Sequence, residues 1–243
     1  MKIFKQTLLA FIAIMCFVSC DKDDSESKNE LETKASINAK WVVEGTSEFK
    51  SFEFNESGNY IIVKEGTVKS SASNSILFGT YEYDADQTIT LSEFGTIKIS
   101  DYGTDHMNFV VELKDGTEEP VSLKATKKEE MGSSERTDLL CRSWKLIRIN
   151  DVNVEGTEEE ITVLFSKAGT YFVEFVNPNP DVLGGLAEWS WSNSSKTAIN
   201  YSWTQYGEGG TFDIVELTDN SLKILEEFEG EESEMSTLVP LNN

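Results

Sequence analysis

Phe52-Glu53-Phe54-Asn55-Glu56-Ser57-Gly58-Asn59-Tyr60 is answered later in the chain by Val163-Leu164-Phe165-Ser166-Lys167-Ala168-Gly169-Thr170-Tyr171. Phe54, Gly58 and Tyr60 return at one common offset, as Phe165, Gly169 and Tyr171. In both stretches large apolar residues alternate with polar ones. Phe52 and Phe54 face one way, and Ser51, Glu53 and Asn55 the other, which is the period of a half-buried antiparallel strand. Glycine in the middle marks a hairpin turn that needs positive φ.

Moving outward, the match continues in order. Ala39-Lys40-Trp41-Val42-Val43 precedes the first hairpin, and Arg142-Ser143-Trp144-Lys145-Leu146 the second. Tyr81-Glu82-Tyr83 through Ile89 and Leu91 sets against Trp191-Ser192-Asn193 through Ile199 and Tyr201. Gly95-Thr96-Ile97-Lys98-Ile99 sets against Gly210-Thr211-Phe212-Asp213-Ile214, and Met107 and Phe109 against Leu222 and Ile224. Gly116 and Gly230 fall in equivalent acidic turns. The chain therefore reads as an internal duplication. Thr126 to Thr137 is polar apart from Met131, so it reads as a linker between two domains rather than part of one sixteen-stranded barrel. Turn signals at intervals of about 8–12 residues predict roughly eight strands per copy. Helical spacing is confined to short turns near Leu31 to Ile37 and Arg136 to Cys141.

Eight sequential antiparallel strands led by a tryptophan resemble the lipocalin-like family of bacterial lipoproteins. The resemblance covers about residues 37–125 and 138–240. It implies an all-β fold: two tandem small up-and-down barrels, each closed so that no sheet edge is exposed. The expected domains are 37–125 and 138–243, joined by 126–137. Ligand-carrying lipocalins have glycine two residues before the tryptophan. Ala39 and Arg142 stand there instead.

The N-terminus carries a different instruction. Lys2 and Lys5 precede an apolar run from Leu8 to Val18, followed by Phe17-Val18-Ser19-Cys20. The run is shorter than the about 20 residues needed to span a bilayer and matches the apolar core of a secretory signal. The cysteine after it resembles the lipobox of bacterial lipoproteins. That resemblance implies cleavage of 1–19 as a signal peptide, acylation of the Cys20 thiol and of the new amino end, and a membrane partner reached through lipid. Residues 20–36 then form an acylated flexible tether, polar and without apolar periodicity. Asp21, Asp23 and Asp24 look like the surface-export signal of one Gram-negative phylum. In enteric bacteria an aspartate next to the cysteine instead resembles an inner-membrane retention mark. The expected place is the outer membrane, lipid-anchored and facing the cell surface.

The formal net charge is −22, and loss of Lys2 and Lys5 with the signal takes it to −24. Such a surface repels phosphates, which argues against nucleic acid and against lying flat on an anionic membrane. Of the three cysteines, Cys16 leaves with the signal and Cys20 carries lipid. Cys141 is then alone, so no intramolecular disulfide forms, and it reads as a small buried hydrophobe. His106 is the sole histidine, which excludes multi-histidine zinc sites, and its neighbours Asp105 and Asn108 suggest a turn rather than a catalytic imidazole. No Gly-rich phosphate loop precedes a helix. Carboxylates stand mostly in runs, Glu158-Glu159-Glu160 and Glu226 through Glu234, and runs belong in solvent. Asp84-Ala85-Asp86 and the Glu226–Glu234 hairpin are loops that could hold calcium, with solvated turns the simpler reading. The expectation is therefore no enzyme, no cofactor and no resident metal.

Aromatic residues of the second copy give the best hint of a ligand. Trp189, Trp191, Tyr201 and Trp203 fall on adjacent strands and are the ligand-pocket candidates. Flat rings stack on sugars or pack on acyl chains. Asn177 to Gly185, just before them, could flap over a barrel mouth. The competing reading is a plugged core, because side chains can just fill an eight-stranded barrel. Two functions stay open: binding of a small apolar or sugar-like ligand without catalysis, or a protein-interaction or scaffolding module of an outer-membrane assembly.

Overall fold

The computed structural model describes residues 37–65, 75–84, 86–116, 119–177, 185–204, 207–227, 230 and 232–241. The signal peptide, Cys20 and the tether lie outside them, as do residues 66–74 and 178–184 of the two long loops.

Eight strands close the first copy: β1 (Lys40–Val43), β2 (Phe49–Phe54), β3 (Asn59–Lys64), β4 (Ser75–Asp84), β5 (Thr88–Leu91), β6 (Gly95–Tyr102), β7 (His106–Leu113) and β8 (Val121–Lys127). Each is antiparallel to the next, and β8 returns to pair with β1. The second copy opens with a short helix, α1 (Glu135–Leu140). Then come β9 (Ser143–Ile149), a two-residue β10 (Val152–Asn153) folded back on it, β11 (Ile161–Phe165), β12 (Thr170–Phe175) and β13 (Gly185–Trp191). The copy ends with β14 (Ala198–Trp203), β15 (Gly209–Leu217), β16 (Leu222–Glu226) and β17 (Glu234–Pro240). Pairing of β17 with β9 closes a second barrel of eight strands, with β10 as an appendage. The fold is thus two closed antiparallel barrels in tandem, as alternation and turn spacing predict. Of the stretch read as linker, only residues 128–134 lie between elements. No helix among the described residues is long and apolar enough to cross a membrane.

The duplication extends to individual hydrogen bonds. The Trp41 indole N–H donates to the carbonyl of Ile37, and that of Trp144 to the carbonyl of Leu140, both at 2.9 Å. Gly58 and Gly169 turn the matching hairpins at φ of +79° and +80°. Tyr81 Oη and Trp189 Nε1 donate to the equivalent carbonyls of Asn55 and Ser166, each at 3.0 Å. The register also corrects one detail of the alignment. Tyr60 faces Gly79 and Tyr171 faces Ala187, so Tyr81 and Tyr83 match Trp189 and Trp191, not Trp191 and Asn193. The β13–β14 turn is two residues longer than the β4–β5 turn, and a constant spacing slides across that difference.

Inward residues of the first barrel pack into an apolar core that includes Trp41, Phe52, Phe54, Ile62, Ile97 and Phe109. Outward residues of β3 and β4 do not all meet water. Ile61, Val63, Ile76 and Phe78 pack against Leu164, Phe172 and Leu186 of the second barrel. The Phe78 and Phe172 rings lie 4.9 Å apart. Phe172 is the counterpart of Ile61, and Leu186 of Phe78, so the same patch serves both barrels, as in a twofold dimer.

Glu53 illustrates what that packing does. Alternation turns it outward, as expected, yet it is only 4% exposed because the second barrel covers it. There the buried Thr170 hydroxyl donates to Glu53 Oε2 at 2.5 Å and accepts from Lys40 Nζ at 3.1 Å. Burial holds the Lys40 ammonium below its ordinary pKa, partly offset by the charge of Glu53. A buried pair of this kind contributes little net stability while intact, but losing one partner strands a charge. Lys40→Met should therefore cost roughly 3 kcal/mol. Combined Lys40→Met, Glu53→Leu and Thr170→Val, which gives position 53 the residue its counterpart Leu164 carries, should return to within about 1 kcal/mol of the parent. Urea unfolding of the three proteins checks this; equal stability of the single substitution and the parent would refute the role given to the pair.

Candidate ligand site at the mouth of the second barrel

The register turns all four candidate aromatics inward. Trp189 faces Tyr201, Trp191 faces Ile199, and Ala187 faces Trp203 across β13 and β14. The four do not form one pocket. Trp189 is 4% exposed and held by Ser166, edge-on to Phe165 at 5.7 Å. Trp191 reaches the helix end of the barrel, where its indole N–H donates to Thr137 Oγ1 at 3.2 Å. Lys196 stands over its ring and donates to Ser134 and Thr137, tying β14's approach to α1. Trp189 and Trp191 are thus core and end plug.

Tyr201 and Trp203 lie toward the other end and are half-buried. With Tyr171 they make a ring cluster: Tyr171 to Trp203 is 5.4 Å, Tyr201 to Trp203 5.7 Å, and Tyr171 to Tyr201 5.8 Å. Glycines make room for them. A Cβ on Gly185 would come within 2.6 Å of the Trp203 ring, and one on Gly210 within 2.8 Å of Tyr201 Oη. Beneath, Phe165 stacks on Tyr171 at 4.8 Å, so the barrel is filled below this level.

One member of the cluster is a carboxylate. Leu222, Ile224 and Glu226 alternate inward on β16, and the Tyr201 hydroxyl donates a short hydrogen bond to Glu226 Oε1. The acidic run that reads as solvated therefore begins with a residue inside the barrel. Desolvation holds the Glu226 carboxyl above the usual carboxylate range; the Tyr201 bond opposes this and the charge of Glu234 adds to it. Glu234 is its cross-strand neighbour on β17. Burial likewise pushes the Tyr201 phenol up, as do its bond to Glu226 and that carboxylate's charge. Burial is the first cause at Tyr171 also, followed by the charges of Glu226 and Tyr201.

The first barrel has no such pair. Its registers place Leu91 at the position of Tyr201 and Val111 at that of Glu226, both buried. Counterpart Tyr60 sends its hydroxyl to the carbonyl of Ser92 at 2.6 Å.

Other chemically capable residues stand apart. His106 begins β7, half-buried, with Asp105 at 3.1 Å and Asp101 at 3.4 Å. The Asp105 hydrogen bond, then Asp101, lift its pKa against desolvation. Cys141 caps α1, half-buried, and burial pushes its thiol up to about 12, so it keeps its proton at neutral pH. Among the described residues no three His, Cys, Asp or Glu side chains group as metal ligands.

No family model matches the chain, and no curated protein matches it. One similar solved structure is a protein of unknown function from the DUF3598 family of Nostoc punctiforme. It is 10% identical, with 87% of this chain and 99% of that chain covered at a TM-score of 0.22, a likeness too loose to carry an argument.

Glu226 sets a pH dependence. Its folded pKa lies above the unfolded value, so the native state binds protons more readily. The cost of holding it ionised is present above the folded pKa and relieved as pH falls through it. Glu226→Gln removes that cost while keeping an acceptor for Tyr201. It should be more stable than the parent at pH 7, by less than about 1 kcal/mol since the site is half open to water, with the difference gone at low pH. Thermal unfolding across pH checks the sign; a variant less stable at pH 7 would contradict it.

Proposed function

We propose that this chain is a lipid-anchored envelope protein whose second barrel binds a small apolar or sugar-like ligand at its mouth, without catalysis. One observation carries the ligand reading. At one pair of matched positions, on the strands either side of β6 and of β15, the first barrel keeps Leu91 and Val111, and the second places Tyr201 and Glu226 beside Trp203 and Tyr171. A core needs no carboxylate, and even half-burying one is costly unless its hydrogen bonds are met. A flat ring beside a hydrogen-bonding acceptor is the combination that orients a ring-shaped ligand, with the aromatic face taking the apolar side and the carboxylate a hydroxyl.

Binding is observed through Trp203, the indole nearest the mouth. Titration with methyl glucoside, indole and palmitate should change tryptophan fluorescence for at least one probe, and Trp203→Leu should abolish the response. Silence with all three would defeat the ligand reading, and hydrolysis of the glucoside would defeat its non-catalytic part.

The scaffolding alternative draws on the first barrel. Its inward side chains pack as an apolar cluster, with no counterpart of the Tyr201–Glu226 pair, which leaves its outer surface as the part free to engage a partner. Co-purification of an outer-membrane protein with the full chain in mild detergent would favour that role.

Anchoring rests on the N-terminal sequence. Lys2, Lys5, the Leu8–Val18 run and Cys20 are arranged as a lipoprotein signal, and Asp21, Asp23 and Asp24 support the surface. Two or more acyl chains hold a protein stably, at about 0.8 kcal/mol per buried methylene. Metabolic palmitate should label the mature chain, and Cys20→Ser should lose both the label and membrane fractionation. Full labelling of Cys20→Ser would place the lipid elsewhere.

A further inference from the structure

One cavity lies outside both barrels. It is a half-open cleft of about 500 Å³ between them, within the size range of small-molecule sites, which favour domain boundaries. Its walls are matched segments of the two copies. Phe54 to Ser57 of the first hairpin stands opposite Phe165 to Ala168, the same turn repeated. Asn38 to Lys40 likewise stands opposite Cys141 and Arg142, the matched approach to each tryptophan.

The positions match but the charges do not. Glu56 of the first wall is the counterpart of Lys167 of the second, and Ala39 that of Arg142. The first wall adds Glu53, at the floor with Lys40, and the connecting segment adds Glu130. Lys167 is held by Asp138 at 2.7 Å, with its side chain still partly open to water. Arg142 lies over the Trp144 ring and donates to the carbonyls of Leu139 and Asp219. Both Asp138 and the charge of Glu56 favour the Lys167 ammonium. Duplication has thus set Glu56 and Lys167 at matched positions of the two walls, with Lys40 paired to Glu53 on the first and Asp138 paired to Lys167 on the second.

We propose that this cleft binds a small zwitterion of dipeptide size, with its ammonium toward Glu56 and its carboxylate toward Lys167. The lining favours a primary ammonium over a quaternary one. Phe54 and Phe165 border the cleft but are 2% and 1% exposed, so no open aromatic face awaits a methylated cation. Carboxylates and amides, by contrast, accept N–H donors. The cleft is separate from the mouth of the second barrel, so the two sites stand or fall independently.

The test uses the full chain in mild detergent and the dipeptide Ala-Ala, followed by calorimetry. Binding in the millimolar range or tighter is expected, with Glu56→Gln and Lys167→Gln each weakening it about tenfold, that is, by about 1.4 kcal/mol. Two blocked probes locate the ends. N-acetyl-Ala-Ala should bind weakly and be insensitive to Glu56→Gln. Ala-Ala-amide should bind weakly and be insensitive to Lys167→Gln. Circular dichroism confirms that each variant is folded. No heat from Ala-Ala at about 10 mM with the folded parent, or equal affinity of the free and blocked probes, would overturn the proposal.

Discussion

An eight-stranded barrel leaves an inside that side chains nearly fill, and that constraint governs this molecule. Every inward position is core by default. Trp41 and Trp144, bolted to the carbonyls of Ile37 and Leu140, occupy the same place in each barrel. Ligand chemistry then has two places left: a mouth, where packing ends, and the outside. The mouth cluster of Tyr171, Tyr201, Trp203 and Glu226 belongs to the first and the inter-barrel cleft to the second. The same constraint explains why Trp189 and Trp191, although on the inner face, are structural. Trp189 lies deeper, where there is room for rings but not for a guest, and Trp191 is tied to α1 at the opposite end.

Duplication supplies an internal control. Two copies of one fold share their hairpin glycines, tryptophan anchors and strand registers, so common features report folding requirements. Features that differ at matched positions are free of that requirement. Leu91 and Val111 show what the barrel needs at those places; Tyr201 and Glu226 show a departure that packing does not ask for. Glu56 and Lys167 depart in the same way on the outside.

Much of the fold was legible from sequence because period-two alternation and turn glycines are local signals. The inward facing of Trp189, Trp191, Tyr201 and Trp203 was legible for the same reason. Glu226 was hidden by its neighbours: a run of acids reads as solvent, although alternation from Leu222 and Ile224 already turns it inward. Glu53 was hidden differently. Alternation places it outward, and nothing local says that a second barrel will cover it. The polar linker suggested independent domains, but Ile61, Phe78, Phe172 and Leu186 are outward apolar residues whose partners lie in the other half of the chain.

That buried contact gives the cleft its shape. Two barrels joined through a flexible segment alone would leave no fixed space between them. Apolar packing of Phe78 on Phe172 supplies adhesion but little direction, since greasy surfaces slide. The Lys40–Thr170–Glu53 cluster is directional, because each donor and acceptor has one place where it is satisfied and a costly alternative elsewhere. Lys128 reinforces it at the rim through Glu188 at 2.9 Å. Glu53 also lines the cleft floor, so the residue that fixes how the barrels sit is part of the surface their meeting creates. In the second copy the matched residue is Leu164, which can adhere but cannot set register. The asymmetry between 53 and 164 thus converts a twofold-like contact, tolerant of sliding, into one defined geometry.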